Sequence, residues 1–248
     1  MRQAMIFAAG LGTRLKPLTD TMPKAMIPVA GKPLLAHVLS RLKASGFRRV
    51  VVNVHHFSGQ IIDYLTANDD FGLDVSVSDE TACLLDTGGG LRAAAPLFDA
   101  DSPILLHNVD ILSDVDLAAF YDRATEADAT LLVSERDTRR YLLFDSASRL
   151  RGWTNIATGE VRSPYADLAV NDLARYAFSG IHVVSPRLFP LMKDFPEKFG
   201  IMDFYLQVCD KADIRGHVAP ALRLMDVGKL DTLAEADRFV RSLGDIYL

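Results

Sequence analysis

The sequence has little cysteine, no long apolar run and no excess of positive charge, and each absence excludes a class of protein. Its 248 residues include two cysteines, Cys83 and Cys209, which form neither a disulfide framework nor a metal-binding spacing. No stretch approaches the roughly 18 apolar residues of a membrane-spanning helix. The opening MRQAMIFAAG is too short, and too soon interrupted by glycine, for a signal peptide. We therefore expect a cytoplasmic protein that does not enter a membrane.

The charge distribution argues against a nucleic-acid partner and points to one anion-binding loop. The net charge of −5 lacks the basic face that such a partner requires. Residues 11–50 nevertheless carry eight lysines and arginines against one acid, Asp20. Those from Arg41 to Arg49 are typical of a solvated helix surface, whereas Arg14 and Lys24 fall in a loop rich in glycine and proline. That loop is the candidate anion site.

Strand-like and helix-like segments alternate over the first ~135 residues, as in a doubly wound α/β protein with a mainly parallel sheet. Apolar runs predict strands at 3–9, RRVVVNV, LDVSVSD, PILLHN and ATLLVS, with helices over 34–43, after Ser58, over 88–97 and over 115–127. Ser113 or Asp114 is a candidate cap for the last of these helices. Residues 141–184 read as short antiparallel strands, followed by helices near 186–193 and 201–211, a strand in LRLMDVG and a closing helix at 230–243.

The loop FAAGLGTRLKPLTDTMPK, which follows the first strand, lacks the features of two common nucleotide motifs. A Rossmann fingerprint requires a third glycine where this chain has Leu15, and no Gly-Lys-Ser/Thr of a Walker loop follows. Pro17 and Pro23 also prevent a helix from starting at once. The remaining interpretations are a simple surface loop or, as we favour, a phosphate site in which Arg14 supplies a forked donor and Lys24 a point charge.

The stretch AAGLGTRLKPLTDTMPKAMIPVAGKPLL closely resembles the signature of the sugar-1-phosphate nucleotidylyltransferases. These enzymes join a nucleoside triphosphate (NTP) to a sugar 1-phosphate and release pyrophosphate. The resemblance continues in order through LLDTGGGLRAA, LLHNVDIL, AFSGIHVVSP and LRLMDVGKLDTLAEA. It implies a Rossmann-like, glycosyltransferase-A-like fold with a small antiparallel sugar-binding lobe. It also implies a single domain over 1–248, with a nucleotide-binding half at about 1–135 and a sugar-binding half at about 136–248.

The resemblance also assigns roles to particular residues. Arg14 and Lys24 are expected to be catalytic, on the leaving and the reacting phosphates respectively. Asp110 and Asp226 are expected to hold a catalytic Mg²⁺. The expected nucleotide-binding residues are Ala8, Ala9, Gly10, Gly12, Thr13, Arg14, Lys24, Thr87, Gly88 and Gly89. The expected sugar-binding residues are Asn108, Gly180 and Trp153, although Trp153 is equally interpreted as a packing residue.

The chemistry agrees with this residue set. The nucleophile is a phosphate oxygen, which is already largely ionised at neutral pH because the second pKa of a phosphate monoester is about 6. No serine, cysteine or histidine therefore needs activation. The reaction instead requires charge neutralisation and in-line geometry, which two carboxylates, Mg²⁺, an arginine and a lysine supply.

Two departures from the family pattern leave the substrate open. The chain has Asn108-Val109-Asp110 where members commonly have Gly in the middle. The segment LRGWTNIATGEVR also lacks the usual second lysine, for which Arg151 and Arg162 are candidate substitutes, Lys24 alone being the alternative.

Among the subgroups, LLDTGGGL and the short chain most resemble the uridylyltransferases for N-acetylmuramate 1-phosphate, which favours UTP. Guanylyltransferases for mannose or heptose 1-phosphate are the second choice. A catalytically silent subunit that senses nucleotide sugars is a third possibility, and a dehydrogenase the last. We expect a monomer or a small homo-oligomer.

Overall fold

A mixed sheet of ten strands runs through the computed structural model, which describes residues 1–244. The strands and helices, in chain order, are β1 Gln3–Phe7, β2 Pro28–Val29, β3 Lys32–Pro33, α1 Leu34–Ala44, β4 Arg49–Val54, α2 Ser58–Ala67, β5 Asp74–Asp79, α3 Asp86–Ala94, β6 Ile104–Asn108, β7 Ile111–Ser113, α4 Leu117–Arg123, β8 Ala129–Ser134, β9 Arg140–Phe144, β10 Leu150–Asn155, β11 Glu160–Arg162, β12 Ala174–Val184, α5 Ile201–Val208, β13 Ile214–Val218, β14 Leu224–Asp226 and α6 Leu233–Ser242. The strands of the sheet lie side by side in the order β11-β10-β9-β12-β6-β1-β4-β5, with β8 beside β12 and β13 beside β8.

The direction of the strands brings the functional loops to one edge. Strands β6, β1, β4 and β5 are mutually parallel, so the segments that leave their carboxyl ends meet. Strand β12 is antiparallel to both β6 and β8, and β13 is parallel to β8. The carboxyl ends of β8 and β13 therefore lie at the same edge. The predicted fold class, an α/β protein with a mixed and mainly parallel sheet, is confirmed.

Antiparallel strands form the predicted smaller part. Strands β9, β10 and β11 pair with one another in antiparallel fashion, and β9 pairs with the first residues of β12. A separate antiparallel pair joins β7 to β14. Both β12 and β13 come from the second half of the chain, yet they extend the same sheet as the first half.

The two faces of the sheet are covered by different helices, as the alternation along β1 illustrates. Ala4 and Ile6 point into a core that includes residues of α1, α2, α4 and α6. Met5 points the other way, into a core that includes residues of α3 and α5. A strand buried on both faces reads as a continuous apolar run, which explains why β1 and β6 could be recognised from sequence.

Several predicted elements differ in extent. Helix α4 is shorter than 115–127, and its cap is Asp116, whose carboxylate accepts from the Ala119 amide at 2.9 Å. The predicted cap residues Ser113 and Asp114 instead lie in β7 and in an ion pair with Arg223. The segment near 186–193 is a 3₁₀ helix that contains Pro190. Within the described residues, no helix is both long enough and apolar enough to span a membrane.

Candidate active site

A cavity of about 550 Å³ opens at the carboxyl edge of β1, β4, β5 and β6. Segments around residues 84–87, 200 and 228 complete its walls. The lining residues are Phe7, Ala9, Gly10, Leu11, Gly12, Thr13, Arg14, Lys24, Asn53, Glu80, Leu84, Asp86, Thr87, Asn108, Val109, Asp110, Gly200 and Gly228.

The loop after β1 folds back on itself at Gly12. The carbonyl of Gly12 accepts from the Leu15 amide at 2.8 Å and from the Thr19 hydroxyl at 3.0 Å. Gly12 has a φ of 61°, and a Cβ there would lie 2.8 Å from Thr19 Cγ2 and 3.1 Å from Lys24 Cβ. Only glycine fits this position without strain. The tight turn brings Arg14 and Lys24, ten positions apart in sequence, to the same cavity.

The first two amides of this loop are held by a side chain that the sequence analysis did not identify. Asn53, at the end of β4, accepts with Oδ1 from the amides of Ala8 at 2.7 Å and Ala9 at 3.3 Å. Ala8 does not line the cavity, and both amides are engaged within the protein. Residues 10–13, which follow this pair, all line the cavity.

The carboxylate of Glu80 holds Asn53 in place, and so supports the loop after β1. Its Oε1 accepts from Asn53 Nδ2 at 2.7 Å, and its Oε2 accepts from the Leu85 amide at 3.0 Å. The residue is 2% exposed, and this burial raises the pKa of its carboxyl group. Glu80 thus ties the loop after β1 to the start of α3. Polar residues at the carboxyl ends of two neighbouring strands, β4 and β5, are the sequence signal that would have found the pair.

Lys24 and Asp110 form an ion pair across the cavity. The ammonium of Lys24 donates to Asp110 Oδ2, and the two side chains are 11% and 19% exposed. Lys24 lies in a short 3₁₀ helix, Lys24–Met26, whereas Asp110 follows β6. The predicted phosphate-binding lysine and one predicted metal ligand are therefore in direct contact.

Asp226 reaches the same place through the β7–β14 pair. It pairs with Ile111, and the Val227 amide donates to the carbonyl of Asp110 at 2.9 Å. Asp226 is an exposed residue that lies beside the cavity without lining it. Desolvation and the nearby Asp110 charge raise the pKa of its carboxyl group, against the opposing charges of Lys24, Arg14 and Arg136. The two predicted acids are thus brought together.

Gly228 allows the side chains of Arg14 and Asp226 to lie close together. A Cβ at this position would lie 2.8 Å from both Arg14 Nη2 and Asp226 Oδ1. Since any larger residue would collide with these atoms, the glycine lets the guanidinium and the carboxylate share one corner of the cleft.

The donor set fits Mg²⁺ as part of a substrate complex. Within residues 1–244 no group of three or more His, Cys, Asp or Glu is arranged to hold a metal ion alone. Asp110 offers hard carboxylate oxygens at the cavity, and Asp226 offers them next to Gly228 at its edge. Magnesium commonly takes one or two carboxylates and completes its octahedron with waters and phosphate oxygens. Two acids beside a phosphate loop match that requirement.

The Thr87–Gly90 run is shaped by protein packing. The amides of Gly88 and Gly89 donate to the carbonyl of Phe199 at 2.9 and 3.1 Å. A Cβ on Gly88 would lie 2.3 Å from the Phe199 ring, and one on Gly89 would lie 2.4 Å from the carbonyl of Glu197. Of the three predicted nucleotide-binding residues in this run, Thr87 lines the cavity, and its hydroxyl accepts from the Ile201 amide at 2.9 Å. Contact of Gly88 and Gly89 with the nucleotide stays a prediction.

Two of the three predicted sugar-binding residues lie together. Gly180 has a φ of 73°, and a Cβ there would lie 3.0 Å from Asn108 Nδ2 and 2.8 Å from Ile111 Cγ1. Asn108 also lines the cavity. Trp153 lies apart from them, in β10, where it packs against the core around α5 with the Arg162 guanidinium 5.9 Å from its ring centroid.

The two arginines considered as substitutes for the missing lysine are both committed to protein partners. Arg151 pairs with Asp145 at 2.7 Å and covers the Tyr165 ring. Arg162 pairs with Asp203 at 2.7 Å. Neither lines the cavity.

The fold and the site define a nucleotide-processing α/β protein, and comparison with known families identifies the class. The family model described as "Nucleotidyl transferase" matches residues 3–143. The chain belongs to this family, as its signature predicted. The structure of the inositol-1-phosphate CTP transferase from T. maritima shares the fold, with a TM-score of 0.78, 15% identity and coverage of 99% of this chain and 97% of that one.

Three curated relatives extend the comparison from the family to individual enzymes. The N-acetylmuramate alpha-1-phosphate uridylyltransferase of Caulobacter vibrioides is 32% identical over 231 residues, which cover 91% of each chain. The enzyme of the same name from Neisseria meningitidis is 43% identical over 123 residues, 50% of this chain and 53% of that protein. The mannose-1-phosphate guanylyltransferase of Mycobacterium tuberculosis is 37% identical over 142 residues, 56% of this chain and 39% of that protein.

Proposed function

We propose that this protein transfers a uridylyl group from UTP to a sugar 1-phosphate in a Mg²⁺-dependent reaction, with N-acetylmuramate 1-phosphate as the first candidate acceptor. The products are a UDP-sugar and pyrophosphate. The observation that carries the proposal is the similarity to the Caulobacter uridylyltransferase, which extends over 91% of both chains. The grouping of Arg14, Lys24 and Asp110 at one cavity, with Asp226 beside Arg14 at its edge, supports the reaction class.

The nucleotide half, residues 1–135, binds the triphosphate through the loop after β1. Amides from Gly10 to Thr13 face the phosphate oxygens, since those of Ala8 and Ala9 are held by Asn53. Arg14, whose guanidinium lies beside Gly228, binds the β- and γ-phosphates that leave. Thr87, Gly88 and Gly89 form the side of the site toward the nucleobase.

Asp110 and Asp226 are the residues that would hold Mg²⁺. When bound, the ion would neutralise charge on the phosphates and orient them for displacement. Lys24 already lies against Asp110, so its ammonium is at the point where the carboxylates and the phosphates meet. We assign Lys24 to the reacting phosphates.

The acceptor supplies its own nucleophile. A sugar 1-phosphate oxygen is largely ionised at neutral pH, so the protein needs no general base. The protein instead holds the two anions in line and close enough to react. Its fixed cations offset the repulsion between them. The half formed by residues 136–248, together with Asn108 and Gly180, is assigned to the sugar, and Trp153 to the outer part of that lobe.

A guanylyltransferase for mannose or heptose 1-phosphate is the second candidate. The observation in its favour is the 37% identity to the Mycobacterium mannose-1-phosphate guanylyltransferase over 142 residues. A silent subunit that binds nucleotide sugars without turnover is the third.

A substrate matrix separates these candidates. Purified protein is incubated with each of four NTPs and a panel of sugar 1-phosphates, with Mg²⁺ or with EDTA, and pyrophosphate release is measured. The proposal predicts the highest kcat/KM for UTP with N-acetylmuramate 1-phosphate. A preference for GTP with mannose 1-phosphate supports the second candidate. Turnover with no pair, combined with tight binding of a nucleotide sugar, supports the third.

A further inference from the structure

We propose that Arg92 is a positioning residue for the nucleoside part of the NTP, because its guanidinium fixes the segment 192–200, called the strap below, against the start of α3. This inference rests on the proposed function, since it assigns a residue to the nucleotide substrate of that reaction. Arg92 itself lies in the last turn of α3 and does not line the cavity. It acts through the strap and the first residues of α3.

The guanidinium of Arg92 binds four backbone carbonyls of the strap. Nη1 donates to the carbonyls of Met192 and Phe195, each at 2.9 Å. Nη2 donates to the carbonyls of Pro196 and Glu197, at 2.8 and 3.1 Å. A planar fork of N–H donors can bind several carbonyls at once, whereas an ammonium is a single point of charge. The strap therefore turns around one side chain that only arginine can supply.

No acidic side chain competes for this cation. In the described part of the chain, no carboxylate lies within ion-pair distance of Arg92, whose guanidinium instead covers the Phe199 ring at 5.1 Å from its centroid. Carbonyl dipoles and an aromatic face of the strap therefore stabilise the charge. Loss of the guanidinium would leave four carbonyls of the strap without this donor, and the strap would no longer be held to α3 along its length.

The far end of the strap is bonded to the first turn of α3. The amide of Phe199 donates to the carbonyl of Leu85 at 3.2 Å. The carbonyl of Phe199 accepts from the amides of Gly88 and Gly89. The next residue, Gly200, lines the cavity. The strap and the start of α3 thus form one wall of the cavity, although they come from different halves of the chain.

This wall suits the uncharged part of the nucleotide. The cavity residues that it supplies are Leu84, Asp86, Thr87 and Gly200. The amides of Gly88 and Gly89 are already bonded to Phe199, so they are not free for a phosphate. A carboxylate repels a triphosphate, whereas a carboxylate, a hydroxyl and an apolar side chain suit a nucleobase and the hydroxyl groups of ribose. The nucleoside therefore belongs at this wall and the phosphates at the loop after β1.

The loop after β1 has a separate support. Asn53 and Glu80, which hold its first amides, come from β4 and from the residue after β5, and neither belongs to the strap. Loss of Arg92 should therefore weaken the binding of the nucleoside and leave the binding of phosphate groups largely intact. This difference separates a positioning role from a merely structural one.

The test compares Arg92→Ala, Arg92→Gln and Arg92→Lys with wild type, using two probes. One is the NTP with the highest kcat/KM in the substrate matrix. The other is the product pyrophosphate, which carries phosphates but no nucleoside, and its inhibition constant is measured from nucleotide-sugar formation. For Ala and Gln we expect the KM of the NTP to rise about 10- to 100-fold, while the inhibition constant of pyrophosphate changes less than about twofold. Lys should recover part of the loss, because it keeps the charge but not the fork.

Two results would overturn the inference. The first is an unchanged KM of the NTP in folded variants. The second is an equal rise in the KM of the NTP and in the inhibition constant of pyrophosphate, since Arg92 would then support the cleft as a whole. Urea unfolding shows which variants are folded. Arg92→Lys keeps the charge and most of the side-chain length, so it carries the same comparison if the other two do not fold.

Arg187→Ala is the matched control. Arg187 is an exposed arginine in the 3₁₀ helix Pro186–Met192, which leads into the strap. It donates to the carboxylate of Asp128 and to the carbonyl of Glu126, and its substitution should leave both constants unchanged. The proposed function and this inference fail separately: wild type without turnover contradicts the function, whereas active wild type with an unaffected Arg92→Ala contradicts only the inference.

Discussion

Lys24 and Asp110, which lie 86 positions apart, form an ion pair at the centre of the candidate active site. Both side chains are largely screened from solvent. The loop after β1 delivers the ammonium and the end of β6 delivers the carboxylate, so the pair joins the proposed phosphate site to the proposed metal site. A change in either residue therefore alters both sites.

Substitution of Asp110 tests this arrangement. Asp110→Asn removes one of the two carboxylates and leaves the Lys24 ammonium without its partner. We expect kcat to fall by about 10³-fold or more, and the free energy of unfolding to fall by about 1–3 kcal/mol. Steady-state kinetics across a Mg²⁺ titration and urea unfolding measure the two effects. Asp20→Asn, which removes an exposed partner of Lys16, is the control and should cost less than about 0.5 kcal/mol. Undiminished activity in Asp110→Asn would refute the metal assignment.

Substitution of Asn53 tests whether the loop after β1 needs the support of the Asn53 side chain. Asn53→Ala releases the amides of Ala8 and Ala9 and leaves the buried Glu80 with one partner fewer. We expect a loss of about 2–4 kcal/mol of stability and a rise of at least about tenfold in the KM of the NTP. The control, Asn68→Ala, removes an exposed amide that donates to the carbonyl of Tyr64, and it should change neither quantity appreciably. An unchanged KM in a folded Asn53→Ala protein would show that the loop keeps its shape unaided.

Two glycine substitutions should have opposite effects on stability. In Gly89→Ala the new Cβ meets the carbonyl of Glu197 at 2.4 Å, so the backbone must shift. We expect a loss of about 1–3 kcal/mol. Gly59 lies in α2 with no atom within 4 Å of its would-be Cβ, and Gly59→Ala should gain up to about 1 kcal/mol from helix propensity. Urea denaturation of both variants measures the two changes in the free energy of unfolding. Equal effects of the two substitutions would contradict the packing explanation of the glycine run.

Buried histidines behind the site give a pH dependence of stability. Burial lowers the pKa of His182 to about 3, below the ordinary value of 6.5. The unfolded chain therefore binds a proton that the folded chain does not, and stability is complete above pH 6.5 and lost as the pH falls below it. Between pH 7.5 and 5.5 this histidine should remove about 1.4 kcal/mol.

His182→Phe isolates that contribution. The ring at 182 packs among Phe7, Phe178 and Tyr205, so phenylalanine keeps most of the packing, although the Tyr205 hydroxyl loses its partner at every pH. The fall in unfolding free energy between pH 7.5 and 5.5 should be about 1.4 kcal/mol smaller in the variant than in wild type. Identical falls in the two proteins would mean that His182 does not stay neutral in the fold.

Sequence reasoning succeeded where local chemistry decides the structure. Strands β1 and β6 are continuous apolar runs, and parallel strands buried on both faces require such runs. The glycines and prolines of the loop after β1 predicted that it does not continue into a helix at once, and the loop does place Arg14 and Lys24 at one cavity, whereas its binding of phosphate stays a prediction. Strand β13 (IRGHV) was not predicted, because it is an edge strand that carries arginine and histidine and is not a fully apolar run.

The parts that could not be predicted depend on long-range placement. Asn53 and Glu80 are 27 positions apart, and only the sheet order brings them to the same loop. The resemblance assigned the glycines after Thr87 to the nucleotide, but the sequence does not reveal that the 197–199 segment of the same chain packs against them. Arg151 and Arg162 had the right charge for a phosphate. In the structure, however, Arg151 forms an ion pair with Asp145, and Arg162 forms one with Asp203. Local charge therefore predicts candidates, whereas the fold decides which cations remain available.

The most direct test of the central proposal is identification of the reaction product. Wild-type protein is mixed with UTP, N-acetylmuramate 1-phosphate and Mg²⁺, and the products are resolved by mass spectrometry while pyrophosphate is measured in parallel. The proposal predicts UDP-N-acetylmuramate and pyrophosphate in equal amounts, and neither when EDTA replaces Mg²⁺. No nucleotide sugar from this pair, under conditions in which GTP and mannose 1-phosphate are converted, would contradict it.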